Sequence, residues 1–227
     1  MRNIVRTCLI ILLLSLLSTE AGATSDFRLW FEGGIRYKIT KKLRFGFDQH
    51  FRLMDDASDI ESISPDVHIR YRLLKYLRIG GGYRFIIEPL KRDGATRVDL
   101  SHRFYGDVIL RNTFKKQRIT LSYRLRYQEQ IVTRKGVRDT VRFRHTVRNK
   151  LQFDLRIKKW AKPFLNAEVF IRFGDPDGYL HKWRVGTGAK FMFKKAHEFT
   201  VSFRGEQFLD GSGDKAAIAS LGYHYHF

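Results

Sequence analysis

A period-two alternation of apolar and polar residues recurs along almost the whole chain, and it limits the possible folds more than any other feature. In "RITLSYRLRYQ", Ile119, Leu121, Tyr123, Leu125 and Tyr127 take one face of an extended strand; Arg118, Thr120, Ser122, Arg124, Arg126 and Gln128 take the other. "PDVHIRYRL" sets Val67, Ile69, Tyr71 and Leu73 against Asp66, His68, Arg70 and Arg72. "LRFGFDQHFRL" does the same with Phe45, Phe47 and Phe51 against Arg44, Asp48 and His50. Side chains alternate between the faces of a strand, so this pattern describes strands with unlike surroundings. Eleven such segments begin near residues 26, 43, 65, 77, 98, 117, 140, 161, 180, 197 and 216, and no helical period competes with them.

Alternation alone fits either a soluble sandwich with an apolar core or a transmembrane barrel with an apolar exterior. Several features favour the barrel. The segments reach the roughly 9 to 11 tilted residues that a strand needs to cross a bilayer. Tight turns around Lys41, Lys75, Lys115, Lys158 and Lys194 alternate with polar stretches at 55–64, 88–98, 129–140, 174–179 and 209–215, read as longer loops. Aromatics stand near segment ends (Trp30, Tyr37, Tyr76, Tyr83, Tyr105, Trp160, Tyr179, Trp183), as interfacial girdles require. A mean hydropathy of −0.35 is compatible, since a barrel needs only alternate residues to be apolar. The expected architecture is an all-β, antiparallel up-and-down transmembrane barrel of 10–12 strands. Bacterial single-chain barrels have even strand numbers, so twelve is favoured, with Gly33-Gly34 turning the first segment into a hairpin. The alternative is ten strands in the wall with the first segment inside.

Residues 1–23 read as a secretory signal: Arg2 and Arg6, an apolar run from Leu9 to Leu17, and Ala21-Gly22-Ala23 as a small-x-small cleavage site. The barrel is then 24–227. The one cysteine, Cys8, falls in that signal, so disulfides and thiol chemistry are not expected of the exported chain. The net charge of +20 would suit nucleic acid, but export and an arginine face backed by apolar residues argue against that partner.

The stretches "DFRLWFEGGIRYKITKKLRF", "HRFYGDV", "LSYRLRYQ", "RFRHTVRNKLQF" and "KPFLNAEVF" together resemble a family of bacterial outer-membrane barrels catalogued as domain of unknown function 2490. The resemblance runs from about Asp26 to Phe227; it implies an outer-membrane barrel and brings no activity with it. Ser220, Gly222, Tyr225 and Phe227 in "SLGYHYHF" resemble the terminal signal read by the barrel-assembly machinery. A terminal strand is an open edge that an assembly factor can bind by strand addition.

The polar face is dominated by arginine. Arg70, Arg72, Arg84, Arg124, Arg126, Arg142, Arg144 and Arg204, with Arg78, Arg103, Arg118, Arg148 and Arg184, are expected to point into the lumen. Asp48, Asp66, Glu168 and Glu206 accompany them, as do Glu32, Asp107 and Asp154. Guanidinium–carboxylate ladders that fill a narrow lumen are the leading reading, and an anion-preferring path is the alternative. His224 and His226 share a face but lack a clear third ligand, so no metal or other cofactor is expected. A lipid-modifying barrel enzyme is the competing class; Ser122 and Ser202 share the inward face with His50 and His68, while adjacent Ser101 and His102 do not. No catalytic residue is assigned. "FGDPDGYL", 173–180, reads as an outer turn, and the basic loop "TRKGVRD", 133–139, suits the phosphates of lipopolysaccharide. The expected partners are outer-membrane lipids, lipopolysaccharide and the assembly machinery, around a monomer of structural or surface-interacting role.

Overall fold

The computed structural model describes residues 25–92, 95–134, 140–158, 160–174, 179–209 and 213–227. The signal-like segment 1–23, the centre of the basic loop at 135–139 and residues 175–178 of the acidic turn lie outside them. Eleven strands form one closed barrel: β1 (Ser25–Lys38), β2 (Leu43–Met54), β3 (Asp59–Arg72), β4 (Leu77–Arg92), β5 (Ala95–Phe114), β6 (Ile119–Arg134), β7 (Thr140–Leu155), β8 (Ala161–Phe173), β9 (Tyr179–Phe193), β10 (His197–Phe208) and β11 (Lys215–His226). Neighbours in sequence pair antiparallel, and the wall closes where β1 pairs with β11 in parallel, from Ser25↔Lys215 to Arg36↔His226.

That seam corrects the even count. Gly33 and Gly34 lie inside a continuous β1 and make no hairpin, and β1 is part of the wall rather than the lumen. Parallel pairing removes the parity requirement, because a chain whose first and last strands run the same way closes with an odd number. Inside the seam, Trp30 of β1 packs in one buried cluster with Ala216 and Ile218 of β11. The backbone N–H of Phe227 donates to the carbonyl of Arg36 at 2.9 Å, which ties down the end of the closing strand.

The stretches 59–64, 88–92 and 129–134, read above as loops, belong to strands. Their polar residues imitate loop composition, yet a polar lumen accepts them on the inward face of a strand. Ser62 and Ser64 are both buried there. Fewer residues are therefore left between these strands than the sequence reading gave them. What distinguishes one rim is charge: the turns 39–42, 73–76, 115–118, 156–160 and 194–196 expose Lys41, Lys42, Lys75, Lys115, Lys116, Lys158, Lys194 and Lys195. At Lys194 and Lys195 both φ angles are positive, 47° and 61°, the geometry of a two-residue hairpin turn normally given to Asn-Gly.

The wall is inside-out relative to a soluble protein. Among the described residues, eight apolar side chains are buried against twenty-one polar or charged ones. The outer face exposes Phe31, Ile69, Phe104, Val108, Leu125, Leu151, Val201 and Leu221, among many others. Polar side chains on that face satisfy one another across strands. The Tyr83 hydroxyl meets His102 Nδ1 at 2.7 Å, Tyr127 meets His145 at 2.8 Å, and Tyr223 meets His197 at 2.9 Å. Trp30 and Tyr105, assigned above to the girdle, point into the lumen instead and are buried. Each precedes or follows an apolar neighbour of the outer face, so strand parity overrides aromatic identity.

Inward-facing glycines make room for large lumen groups. A Cβ on Gly46 would lie 2.3 Å from the His68 ring, whereas one on outward Gly106 would meet nothing within 4 Å. Gly46→Val is therefore expected to destabilise the barrel by about 1–3 kcal/mol through overpacking, and Gly106→Ala to leave it nearly unchanged. Urea-unfolding midpoints in detergent check the pair; equal midpoints would contradict the packing shown at Gly46.

Candidate functional site

The lumen holds the chemistry. At its centre Glu168, from β8, gathers guanidinium groups from three other strands. Its Oε1 accepts from Arg124 at 3.1 Å and Arg148 at 2.9 Å, and its Oε2 lies 3.5 Å from Arg184. Glu206 takes Arg184 on one side and Lys182 at 3.2 Å, with Arg28 at 3.7 Å. Asp107 holds Arg126 through two parallel bonds of 2.7 and 2.8 Å, and the Arg126 guanidinium lies 3.7 Å from the centre of the Tyr105 ring. Such forked pairs are the strongest hydrogen bonds available to these side chains.

A second group forms a closed circuit. Glu32 meets His224 at 2.8 Å and His50 at 3.2 Å. His50 Nε2 accepts from Arg84 at 2.9 Å, and Arg84 donates to Asp66 at 2.8 Å. Asp66 meets His68 at 3.3 Å, His68 lies 3.7 Å from Asp48, and Asp48 returns to His224 at 3.2 Å. Arg36 also bonds Asp48, and the Tyr105 hydroxyl donates to Asp66 at 2.6 Å. The triads Glu32–Asp48–His224 and Asp48–Asp66–His68 have ligand atoms close enough for a metal ion. Every carboxylate in them already receives a guanidinium or imidazole donor, so the circuit is closed by the protein's own side chains.

Among the described residues, two cavities lie in the lumen. The larger, about 590 Å³, reaches the lysine rim, where Lys41 and Lys42 line it; the smaller, about 180 Å³, lies toward the other rim beside Glu61, Glu88 and Arg144. Both are walled by the same five residues, Trp30, Arg52, Arg84, Arg148 and Arg184. Trp30 is the hub of this belt. Its Nε1 donates to Glu61 at 3.1 Å, and Arg52, Arg184 and Arg204 sit 4.2, 4.9 and 5.5 Å from its ring. Phe170 continues the belt under Arg148 at 4.7 Å and Arg184 at 5.1 Å.

Of the residues singled out from sequence, Arg84, Arg124, Arg126, Asp48, Asp66, Glu168 and Glu206 take part in these pairs. Arg70 and Arg204 line the larger cavity, and Arg144 lines the smaller one. Arg72 and Arg142 are exposed at strand ends, with Arg72 donating to the Lys41 carbonyl at 2.8 Å, and Arg118 is exposed in a turn with φ 58°. Ser220 and Gly222 face the lumen. Tyr225 and Phe227 stand outside, ring centres 4.6 Å apart. His50 and His68, read from the sequence as inward-facing, join the circuit, whereas the roles of Trp30, Arg28, Arg36 and Arg52 were not read from the sequence. Parity along β1 and β2 could have flagged these four, since all fall on the polar, inward face.

Three of the side chains weighed above for acyl chemistry have partners of their own. The Nε2 of His50 is occupied by Arg84, His68 faces Asp66, and the Ser202 hydroxyl accepts from Arg204 at 3.1 Å. Neither histidine is bonded to a serine among the described residues.

A family model described as "Protein of unknown function (DUF2490)" matches residues 27–216. The chain belongs to the DUF2490 family. In this DUF2490 member the match extends from near the start of β1 to the first residues of β11, so it takes in most of the charged lumen but not His224. No curated protein matches the chain. Among solved structures, the translocator domain of the autotransporter NalP from Neisseria meningitidis is similar over 74% of this chain and 70% of that one, at 13% identity and a TM-score of 0.47.

Proposed function

We propose that this DUF2490 chain is a monomeric barrel of the bacterial outer membrane, exported by a cleaved signal, whose lumen is blocked rather than open. Its role in this reading is structural or surface-interacting, without through-transport. The membrane address rests on the inverted polarity of the wall: a closed belt of exposed apolar side chains outside and ion pairs inside. In water such a belt would far exceed the apolar patches that monomers tolerate, while lipid covers it at no cost.

The observation that carries the blocked lumen is the belt of Trp30, Arg52, Arg84, Arg148 and Arg184 shared by both cavities. Eleven strands lie nearer the roughly eight whose interior side chains fill than the roughly sixteen that leave an aqueous channel. Purified protein in planar bilayers is expected to show no steady conductance. Stable, anion-selective steps would instead establish the narrow-channel reading. We further infer no lipid-modifying activity, supported by the engaged imidazoles; labelled phospholipid or lipid A incubated with the barrel should yield no product. The assembly machinery is the expected partner of the Ser220, Gly222, Tyr225 and Phe227 pattern, and lipopolysaccharide that of the basic loop at 133–139.

A further inference from the structure

We propose that the cavity at the lysine rim is a binding site for a multiply charged phosphoryl anion, seated among Arg70, Arg124, Lys150 and Arg204. The argument begins with an imbalance of charge. The cavity lining carries eighteen arginines and lysines against five carboxylates, Glu32, Asp48, Asp66, Glu168 and Glu198. Four of the five are already committed in the pairs above, and Glu198 lies 3.7 Å from His226.

The excess cations converge. Around Lys150, Arg124, Arg148 and Arg204 repel while Glu168 attracts, and Glu168 is itself shared by three guanidinium groups. Around Arg70, Arg36, Arg124 and Arg126 repel while Asp107 attracts, and Asp107 is held by Arg126. The Nε atoms of Arg70, Arg124 and Arg148 are buried with no hydrogen-bond partner. A donor buried without an acceptor costs about 1–3 kcal/mol, and three of them lining one cavity mark a place where acceptor oxygens are wanting.

The chemistry of the ligand follows from the donors. Guanidinium forks match phosphate oxygens in pairs, and a lysine ammonium adds a point charge. A chloride or a single carboxylate would neutralise one of these groups, whereas a phosphoryl group offers three or four oxygens and more than one charge. The volume of about 590 Å³ equals that of some twenty waters at ~30 Å³ each, enough for more than one phosphoryl group. Lys41 and Lys42 at the mouth draw anions inward.

The test uses the purified barrel in a non-ionic, phosphate-free detergent. Pyrophosphate is titrated by calorimetry; phosphatidic acid in mixed micelles is followed by tryptophan fluorescence, with phosphatidylcholine as the neutral control. Saturable binding is expected, weakened at least tenfold in Arg70→Gln/Lys150→Gln and unchanged in Lys115→Gln/Lys116→Gln, whose lysines are exposed on the rim outside the cavity. Without ligand the cavity variant should unfold at the same or a higher urea concentration than wild type, because it loses uncompensated buried charge. Binding of pyrophosphate marks a soluble phosphoryl ligand, and binding of phosphatidic acid alone marks a lipid headgroup; either supports the site. No saturable binding of either probe, or equal loss in both double variants, overturns it. Conductance is read separately, so a silent barrel that binds neither anion refutes this site alone.

Discussion

Glu168→Gln is expected to destabilise the folded barrel by about 3–5 kcal/mol, the scale for removing one partner from a buried ion pair. Glu168 is almost wholly buried, its side chain 3% exposed, and it is the common counter-charge of Arg124, Arg148 and Arg184. Glutamine keeps the shape and one acceptor but removes the charge, so three guanidinium groups face one another in a site that water reaches poorly. The comparison is Glu198→Gln at the lysine rim, where the partner His226 is a third exposed. That pair is worth about 1 kcal/mol or less. Urea unfolding in detergent, followed by the three tryptophans and by gel mobility, measures both variants. Adding Arg148→Met to Glu168→Gln should recover part of the loss, since it removes one of the stranded cations. If Glu168→Gln moved the midpoint no further than Glu198→Gln, the central ion-pair cluster would not be what holds the lumen together.

The second large effect is expected at Trp30. Trp30→Ala should cost about 3–5 kcal/mol, as large-to-small changes at buried aromatics do, and should also open an anion-conducting path through the lumen that we propose is blocked. The indole ring lies in the wall common to both cavities, beside Ile218 and Ala216 and under Arg52 and Arg184. Removing it joins the two spaces along a path whose remaining lining is cationic, so chloride should carry the current. Trp30→Phe keeps a ring in place and loses only the bond to Glu61, so it should remain silent and lose less stability. Gel mobility shows which variants have folded before the bilayer recording. A folded Trp30→Ala barrel with no conductance would mean that the arginines alone close the lumen.

Much of the wall was legible because a strand repeats every two residues. The starts of β2, β4, β7, β8 and β10 coincide with the positions read from alternation, and those of β1, β6, β9 and β11 fall within two residues of them. The same rule placed Arg84, Arg124 and Arg126 on the inward face with Asp66 and Glu168. It failed where polarity was taken for a loop, as at 59–64, since a polar lumen makes a polar strand look like a connection. It also failed where residue type was allowed to outvote parity, as at Trp30 and Tyr105.

Alternation along the chain determined an all-β protein whose strands carry one apolar face and one arginine-rich face, because the orientation of each side chain in a strand is a local property. Which charges meet was decided only by closure. Glu32 lies on β1 and His224 on β11, and they stand 2.8 Å apart because the parallel seam brings the two ends of the wall together. The seam also set the count at eleven and carried Trp30 to the centre of the belt. Pairing across a closed sheet depends on register and curvature summed around the whole wall, and neither is written in any one segment.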